Sequence, residues 1–241
     1  MSWKKCCAFL LTLATTLPAF AVDKHGFYMA AGMASDATTA GDSSLIGADS
    51  LVPSTIRTDS GKTEFRGTIA VGYVYPLSPK YLVMMEAGKD VGGSTQFSTD
   101  AFLIAQNNYS SEIDRQWRFK RNWFVAVKPA FRISDTTLAY LSFSHHQAYV
   151  SGQSDLSLDC QGNDCNTTTS FAGGGSLSGT GIGLGMQTTF EKIWFLRVEV
   201  ENIRFNQFTA SVGDPAIPTA YKSESLHPKS TVGRVMVGYR F

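Results

Sequence analysis

The segment Ile182-Gly183-Leu184-Gly185-Met186-Gln187-Thr188-Thr189-Phe190, followed by Glu191-Lys192-Ile193 and Trp194-Phe195-Leu196-Arg197-Val198-Glu199-Val200-Glu201, reads as a hairpin with two distinct faces. Ile182, Leu184, Met186 and Phe190 alternate with small or polar residues. Leu196, Val198 and Val200 alternate with Arg197, Glu199 and Glu201. A period of two is the pattern of a strand. Folding the segment at 191–193 sets Phe190 against Trp194, Thr188 against Leu196, Met186 against Val198 and Leu184 against Val200. Arg197, Glu199 and Glu201 then lie opposite Gln187, Gly185 and Gly183. A slip of one residue breaks every pair. Long charged side chains beside small neighbours suit the inside of a narrow barrel.

Two more hairpins behave in the same way. A turn at 78–80 sets Tyr75 against Val83, Tyr73 against Met85 and Val71 against Ala87. A turn at 134–136 sets Val127 against Phe143, Pro129 against Leu141 and Phe131 against Ala139. The pattern predicts eight strands, near 25–34, 62–77, 81–90, 113–132, 137–149, 177–190, 193–206 and 230–241. The links at 35–61, 91–112, 150–176 and 207–229 are long and rich in Ser, Thr, Asn, Asp and Gly, whereas 78–80, 134–136 and 191–192 are tight turns. A soluble sandwich has no reason to sort its loops by length in strict alternation. The expected fold is all-β: an eight-stranded antiparallel up-and-down transmembrane β-barrel with long outer loops and short periplasmic turns.

Composition agrees. The 241 residues carry 21 Lys and Arg against 20 Asp and Glu, a formal +1. A near-neutral chain without a long basic run argues against nucleic acid as a partner. Residues 1–5 hold Lys4 and Lys5, residues 6–21 are uncharged and mostly apolar, and Ala19-Phe20-Ala21 is a small-x-small site. This is a signal peptide over 1–21, with the barrel domain expected over 22–241. Cys160 and Cys165 then meet an oxidising compartment, so a disulfide between them is expected. The loop it closes is small, worth about 2 kcal/mol in the chain-entropy model.

The strand pattern places Glu64, Arg66, Glu86, Arg118, Lys128, Arg197, Glu199, Glu201 and Arg234 inside the barrel. Opposite charges at similar depth pair, so a neutralising network is favoured over a selectivity filter. Phe27, Tyr73, Tyr75, Tyr81, Phe131, Phe190, Trp194, Tyr239 and Phe241 fall near the short turns. Phe65 and Trp123 fall toward the long loops, giving two girdles roughly 25 Å apart. Pro129 lacks a ladder donor, and a bulge is the expected accommodation. His145 and His146 read as surface or girdle histidines. Of the basic run Arg115, Arg118, Lys120 and Arg121, those on the outer face suit lipid phosphates. No metal or cofactor is expected.

The final residues Val235-Met236-Val237-Gly238-Tyr239-Arg240-Phe241, together with the Ala19-Phe20-Ala21 site, resemble the small eight-stranded outer-membrane barrels. These include the outer-membrane protein A membrane domain, the OmpX-like proteins and the opacity-type surface antigens. The resemblance implies that Val235, Val237, Tyr239 and Phe241 form the signal read by the barrel-assembly machinery. It implies the outer membrane of a Gram-negative bacterium, with lipopolysaccharide and host or cell-surface ligands as further partners. No periplasmic domain is expected after Phe241. An architecture names no activity. The favoured function is a non-enzymatic surface protein, adhesin- or antigen-like, acting through four outer loops. The alternatives are a narrow channel for small solutes and, less favoured, a lipid-modifying enzyme. Lipid A deacylases of this size use His-x-Ser, and neither His145 nor His146 is followed by it.

Overall fold

A computed structural model describes residues 26–39, 43–46, 53–58, 63–104, 109–160, 167–210 and 223–241. These form β1 (Gly26–Thr39), β2 (Ser43–Ile46), β3 (Pro53–Thr58), β4 (Glu64–Pro76), β5 (Tyr81–Val91), β6 (Thr95–Ile104) and β7 (Tyr109–Arg132). They continue through β8 (Thr137–Cys160), β9 (Thr167–Phe190), β10 (Trp194–Phe205), β11 (Phe208–Ala210), β12 (Ser223–Leu226) and β13 (Lys229–Arg240). The leader expected at 1–21 and Cys165 lie outside the described residues.

Eight strands close a ring in the order β1-β4-β5-β7-β8-β9-β10-β13, with β13 returning to β1 and every pair antiparallel. Closure removes the sheet edges, whose unpaired N–H and C=O groups hydrocarbon would leave unsatisfied. All three hairpins take the registers that the apolar pairing predicts: Tyr73 faces Met85, Val127 faces Phe143 and Met186 faces Val198. The outward apolar residues, among them Val71, Met85, Val127, Leu141, Leu184 and Val235, are exposed, as a lipid-facing wall requires. Aromatic pairs tie the girdle at the short-turn end together, including Phe27–Tyr73 at 4.9 Å, Tyr81–Phe131 at 5.5 Å and Trp194–Tyr239 at 5.1 Å.

Three expectations are corrected. First, β7, β8 and β9 each run 24 residues, where crossing a bilayer takes about 9–11. Most of the expected link 150–176 is strand, and β2, β3, β6, β11 and β12 also lie in segments expected to be loop. Above the membrane the outer face meets water, so small and polar residues replace the outward apolar set. Sequences such as Ser151-Gly152-Gln153-Ser154 therefore keep no alternation to read. Second, Pro129 sits in no bulge. Val127–Phe143 and Ala130–Tyr140 hold one continuous register, and Val83–Pro129 is intact on the other side. Between Trp123 and Arg132 only Lys128 and Pro129 lack ladder partners on β8, so the proline removes a ladder bond without shifting the register.

Third, the bulge lies higher on β7. Arg121 pairs Ala148 while Trp123 pairs Gln147, so Asn122 is the extra residue. Below it the even positions Phe124, Ala126, Lys128 and Ala130 are buried; above it the odd positions Trp117, Phe119 and Arg121 are. The neighbouring strand changes phase at the same height. Residues 90–94, from the end of β5 to the start of β6, span only 120–122 of β7, with Gly92 at φ 78° and Gly93 at φ 60°. Glycine reaches that left-handed conformation without a Cβ clash. Because of the bulge Arg118, expected inside, points out and is exposed, while Arg121 points in.

Inward rings lie across glycines on the next strand. A Cβ at Gly238 would stand 2.0 Å from the Phe195 ring, and one at Gly185 would stand 2.4 Å from the Tyr140 ring. Gly238→Val is therefore expected to destabilise the barrel by about 1–3 kcal/mol, the usual penalty for overpacking. Gly233→Ala, whose Cβ meets nothing within 4 Å, serves as the control. The temperature at which the folded barrel loses its heat-modifiable gel mobility checks this: it falls for Gly238→Val and holds for Gly233→Ala.

Candidate functional site: the filled lumen and the cationic rim

Every barrel strand sends polar side chains inward. The lower half of the lumen holds one chain of ion pairs. Arg197 binds Glu86, Lys128 Nζ lies 2.5 Å from Glu86 and 2.8 Å from Glu199, and Arg234 reaches Glu199 at 2.9 Å and Glu201 at 2.5 Å. Three cations thus face three carboxylates. The hydroxyl of Tyr28 donates to Glu86 and that of Tyr140 to Glu199, both at 2.8 Å. Arg197 donates to Gln187 Oε1 at 2.8 Å and stacks 5.0 Å from the Tyr28 ring centre. An unpaired charge here would cost several kcal/mol, so the charges, expected from alternation, must balance locally.

A second cluster sits above the first. Asp36 lies 3.2 Å from Arg66 and 3.5 Å from Arg121, and Arg121 lies 2.9 Å from Asp90. Thr68 donates to Asp90 and Arg66 to Thr95. Glu64 stands at its edge, 4.0 Å from Arg66, with its side chain 28% exposed. Beyond this level the lumen turns apolar. Trp117, Phe119, Val150, Leu177, Ile203, Phe205 and Val232 pack together, with Phe119 and Phe205 edge to face at 4.8 Å.

Of the nine lumen charges named from the sequence, all but Arg118 belong to these clusters. Asp36, Asp90, Arg121, His146, Tyr28 and Tyr140 were not named. Asp36 fell in a segment expected to be loop, and Arg121 inverts at the bulge. His146 corrects the surface assignment. It is buried beside Ser144 Oγ at 2.9 Å and Glu201 Oε1 at 3.1 Å, while His145 faces out, 6.1 Å from the Trp123 ring. Ser144, His146 and Glu201 do not form a catalytic relay. Hydroxyl and carboxylate both approach Nε2, whereas a relay places the acid on the opposite ring nitrogen.

The outer wall has a different character. Lys89, Arg118, Lys120, Arg204 and Lys229 are exposed around the upper girdle. Every carboxylate with a described side chain lies in the lumen or at the short turns, where Asp135 and Glu191 are exposed.

A family model for the outer membrane protein beta-barrel domain matches residues 7–241. The chain belongs to that family. It resides in the outer membrane, where an apolar outer wall and a polar, closed interior belong. No curated protein matches it in sequence. Among solved structures, Ail, the attachment invasion locus protein of Yersinia pestis, is 13% identical over 90% of this chain and 99% of its own, with a TM-score of 0.40. OprG from Pseudomonas aeruginosa is 12% identical over 90% and 96%, at 0.44. The outer membrane protease OmpT from Escherichia coli is 10% identical over 95% and 100%, at 0.43. Likeness at this level assigns no ligand or activity.

The network yields a graded expectation. Glu199→Ala leaves Lys128 and Arg234 undercompensated in a dry interior and should destabilise the barrel by about 3–5 kcal/mol. Glu64→Ala, at a half-open edge, should cost under about 1 kcal/mol. Urea unfolding followed by tryptophan fluorescence checks the order; equal losses would contradict it.

Proposed function

We propose that this family member is a surface-interaction protein: the barrel anchors, and its outer extension meets ligands outside the cell without catalysis. One observation carries this reading. The lumen is filled by locally neutral ion pairs under an apolar layer, while β7, β8 and β9 continue far beyond a bilayer's thickness on one side only. A solute path has to displace buried Lys128, Arg197 and Arg234, which weighs against a channel. The shared nitrogen at His146 weighs against a hydrolase.

The leader is removed after Ala21, and Cys160 pairs with Cys165. Val235, Val237, Tyr239 and Phe241 carry the assembly signal. Lipopolysaccharide meets the outer wall, and host or cell-surface ligands meet the four outer links at 35–61, 91–112, 150–176 and 207–229. Both termini of the ring then face the periplasm.

Topology and function are tested together. In a Cys160→Ser, Cys165→Ser background, Arg118→Cys should react with an impermeant maleimide on intact cells. Asp135→Cys should react only after the outer membrane is opened. The reverse pattern inverts the topology. Cells displaying the chain should bind host-cell surfaces, and exchanging the four segments should abolish binding while folded yield holds. Binding that survives the exchange would place the function in the wall or lumen.

A further inference from the structure

Every buried cation of the two lumen clusters meets a carboxylate, but Arg240 does not. It lies below both clusters, at the short-turn mouth, on the inward phase of β13 with Met236 and Gly238. Arg240 is only 6% exposed. Among the described residues its guanidinium makes no ion pair, and its Nε and Nη2 are buried without a hydrogen-bond partner. The charges that bear on it, Arg197 and Arg132, share its sign. The nearby Tyr28 hydroxyl is given to Glu86. Asp135 and Glu191, in the turns below, are exposed to solvent.

The ladders show what else stands at this level. Following paired residues around the ring from Arg240 returns to β13 at Ser230, ten residues earlier. With strands about 4.8 Å apart and tilted near 40°, each step to the next strand climbs about 3 Å, and each residue down a strand descends about 2.6 Å. Arg132 lies four strands along and six residues down, and Thr189 six strands along and eight residues down, so both fall within about 4 Å of the level of Arg240. In the ring of eight, β7 stands directly opposite β13. Arg132, on the inward phase of Lys128 and Ala130, therefore approaches Arg240 across the mouth. Arg132 has contacts of its own and supplies a second positive charge. Thr189 is buried, and its Oγ1 has no hydrogen-bond partner. Phe195 and Leu138, at the same level, are buried and keep the surroundings apolar.

We infer that the short-turn mouth of the lumen binds an oxyanion, a carboxylate or phosphate group, held by the Arg240 fork, the Arg132 charge and the Thr189 hydroxyl. Charge requires an anion. A cation without a counter-charge is costly in a dry interior, and the clusters above have no carboxylate to spare. Shape selects an oxyanion. A planar guanidinium matches two oxygens at once, which a spherical halide cannot offer. The Thr189 hydroxyl adds a donor for one oxygen. The site lies below the ion-pair core, so it fills without parting Arg234 from Glu199 and Glu201. It is separate from the outer links of the proposed function, and the proposed topology makes the periplasm the source of the anion.

Heteronuclear NMR of the arginine Nε–H groups, on the full folded chain in detergent micelles, tests it. The probes are sodium phosphate, sodium acetate and sodium chloride. The Arg240 resonance should shift saturably with phosphate or acetate, half-saturating at or below about 1 mM, and should respond at least about tenfold more weakly to chloride. Arg240→Lys keeps the charge and loses the fork. Read at the Thr189 amide, it should raise the half-saturation at least about tenfold. Normal heat-modifiable mobility excludes misfolding. Should Arg240→Lys fail to assemble, Arg132→Met with Thr189→Val carries the same test, and together they should weaken binding by a similar factor. A response that does not saturate, equal binding of chloride and phosphate, or undiminished binding in the variants would overturn the proposal. So would binding that appears only after Asp23→Asn, because the chain's own carboxylate would then be the counter-charge. If labelling inverted the topology while saturation persisted, the anion would come from outside the cell and the site would stand.

Discussion

A ring of eight strands encloses little more than its own side chains and leaves no edge. The rest of the molecule depends on that constraint. Backbone pairing is satisfied around the circumference, so the wall can be apolar outside. Inside, each strand must offer something that fits beside its neighbours. Glycine beneath Phe195 and Tyr140 makes room for the rings, and Gly181 and Gly183 make room for Glu201. Charges enter because alternation puts a polar face inward, and they persist because each meets its opposite within a few ångströms. The Arg197–Glu86–Lys128–Glu199–Arg234–Glu201 chain fastens β5, β7, β10 and β13 across the lumen. It resists opening more than it favours folding, since a well-packed apolar core of the same volume could be as stable.

Near the outer interface the problem changes. Above the hydrocarbon the exterior is wet, and the interior fills with Trp117, Phe119, Phe205 and their neighbours, as a soluble barrel would. The transition is made on adjacent strands at one height, by Asn122 on β7 and Gly92-Gly93 between β5 and β6. Its consequence is chemical as well as geometric. The same four-residue run Arg118-Phe119-Lys120-Arg121 sends two cations to the lipid side and one into the lumen, where Asp36 and Asp90 receive it. Without the extra residue, Arg121 would face the membrane and the two aspartates would lose a partner.

What the sequence makes legible follows the same physics. Where one face is lipid and the other is lumen, period two is strong. The three hairpin registers, the girdles and the charges from Glu64 to Arg234 follow from it. Where small or polar residues fall at every position, as along Ser151-Gly152-Gln153-Ser154, strand and loop are compositionally alike, and the outer halves of β8 and β9 escape notice. A bulge adds a residue without changing composition, so the placements of Arg118 and Arg121 could not be read from alternation. Gly92-Gly93, ahead of the Thr95–Ile104 strand, is the one local mark of it. His146 follows from period two as well: β8 keeps one phase, so with Leu141, Phe143 and His145 facing out the even position between His145 and Gln147 faces in. Pro129 falls on an interior strand, and the ring absorbs the missing donor by leaving Lys128 and Pro129 unpaired on one side.

The central claim is that the lumen is a closed ionic core and the barrel an anchor. Single-channel recording of the purified full chain in planar bilayers tests it most directly. The account predicts traces that stay at the bilayer baseline for the native sequence at moderate voltage, because a path would require parting Arg234 from Glu199 and Glu201. Reproducible discrete conductance steps from the native sequence would contradict it.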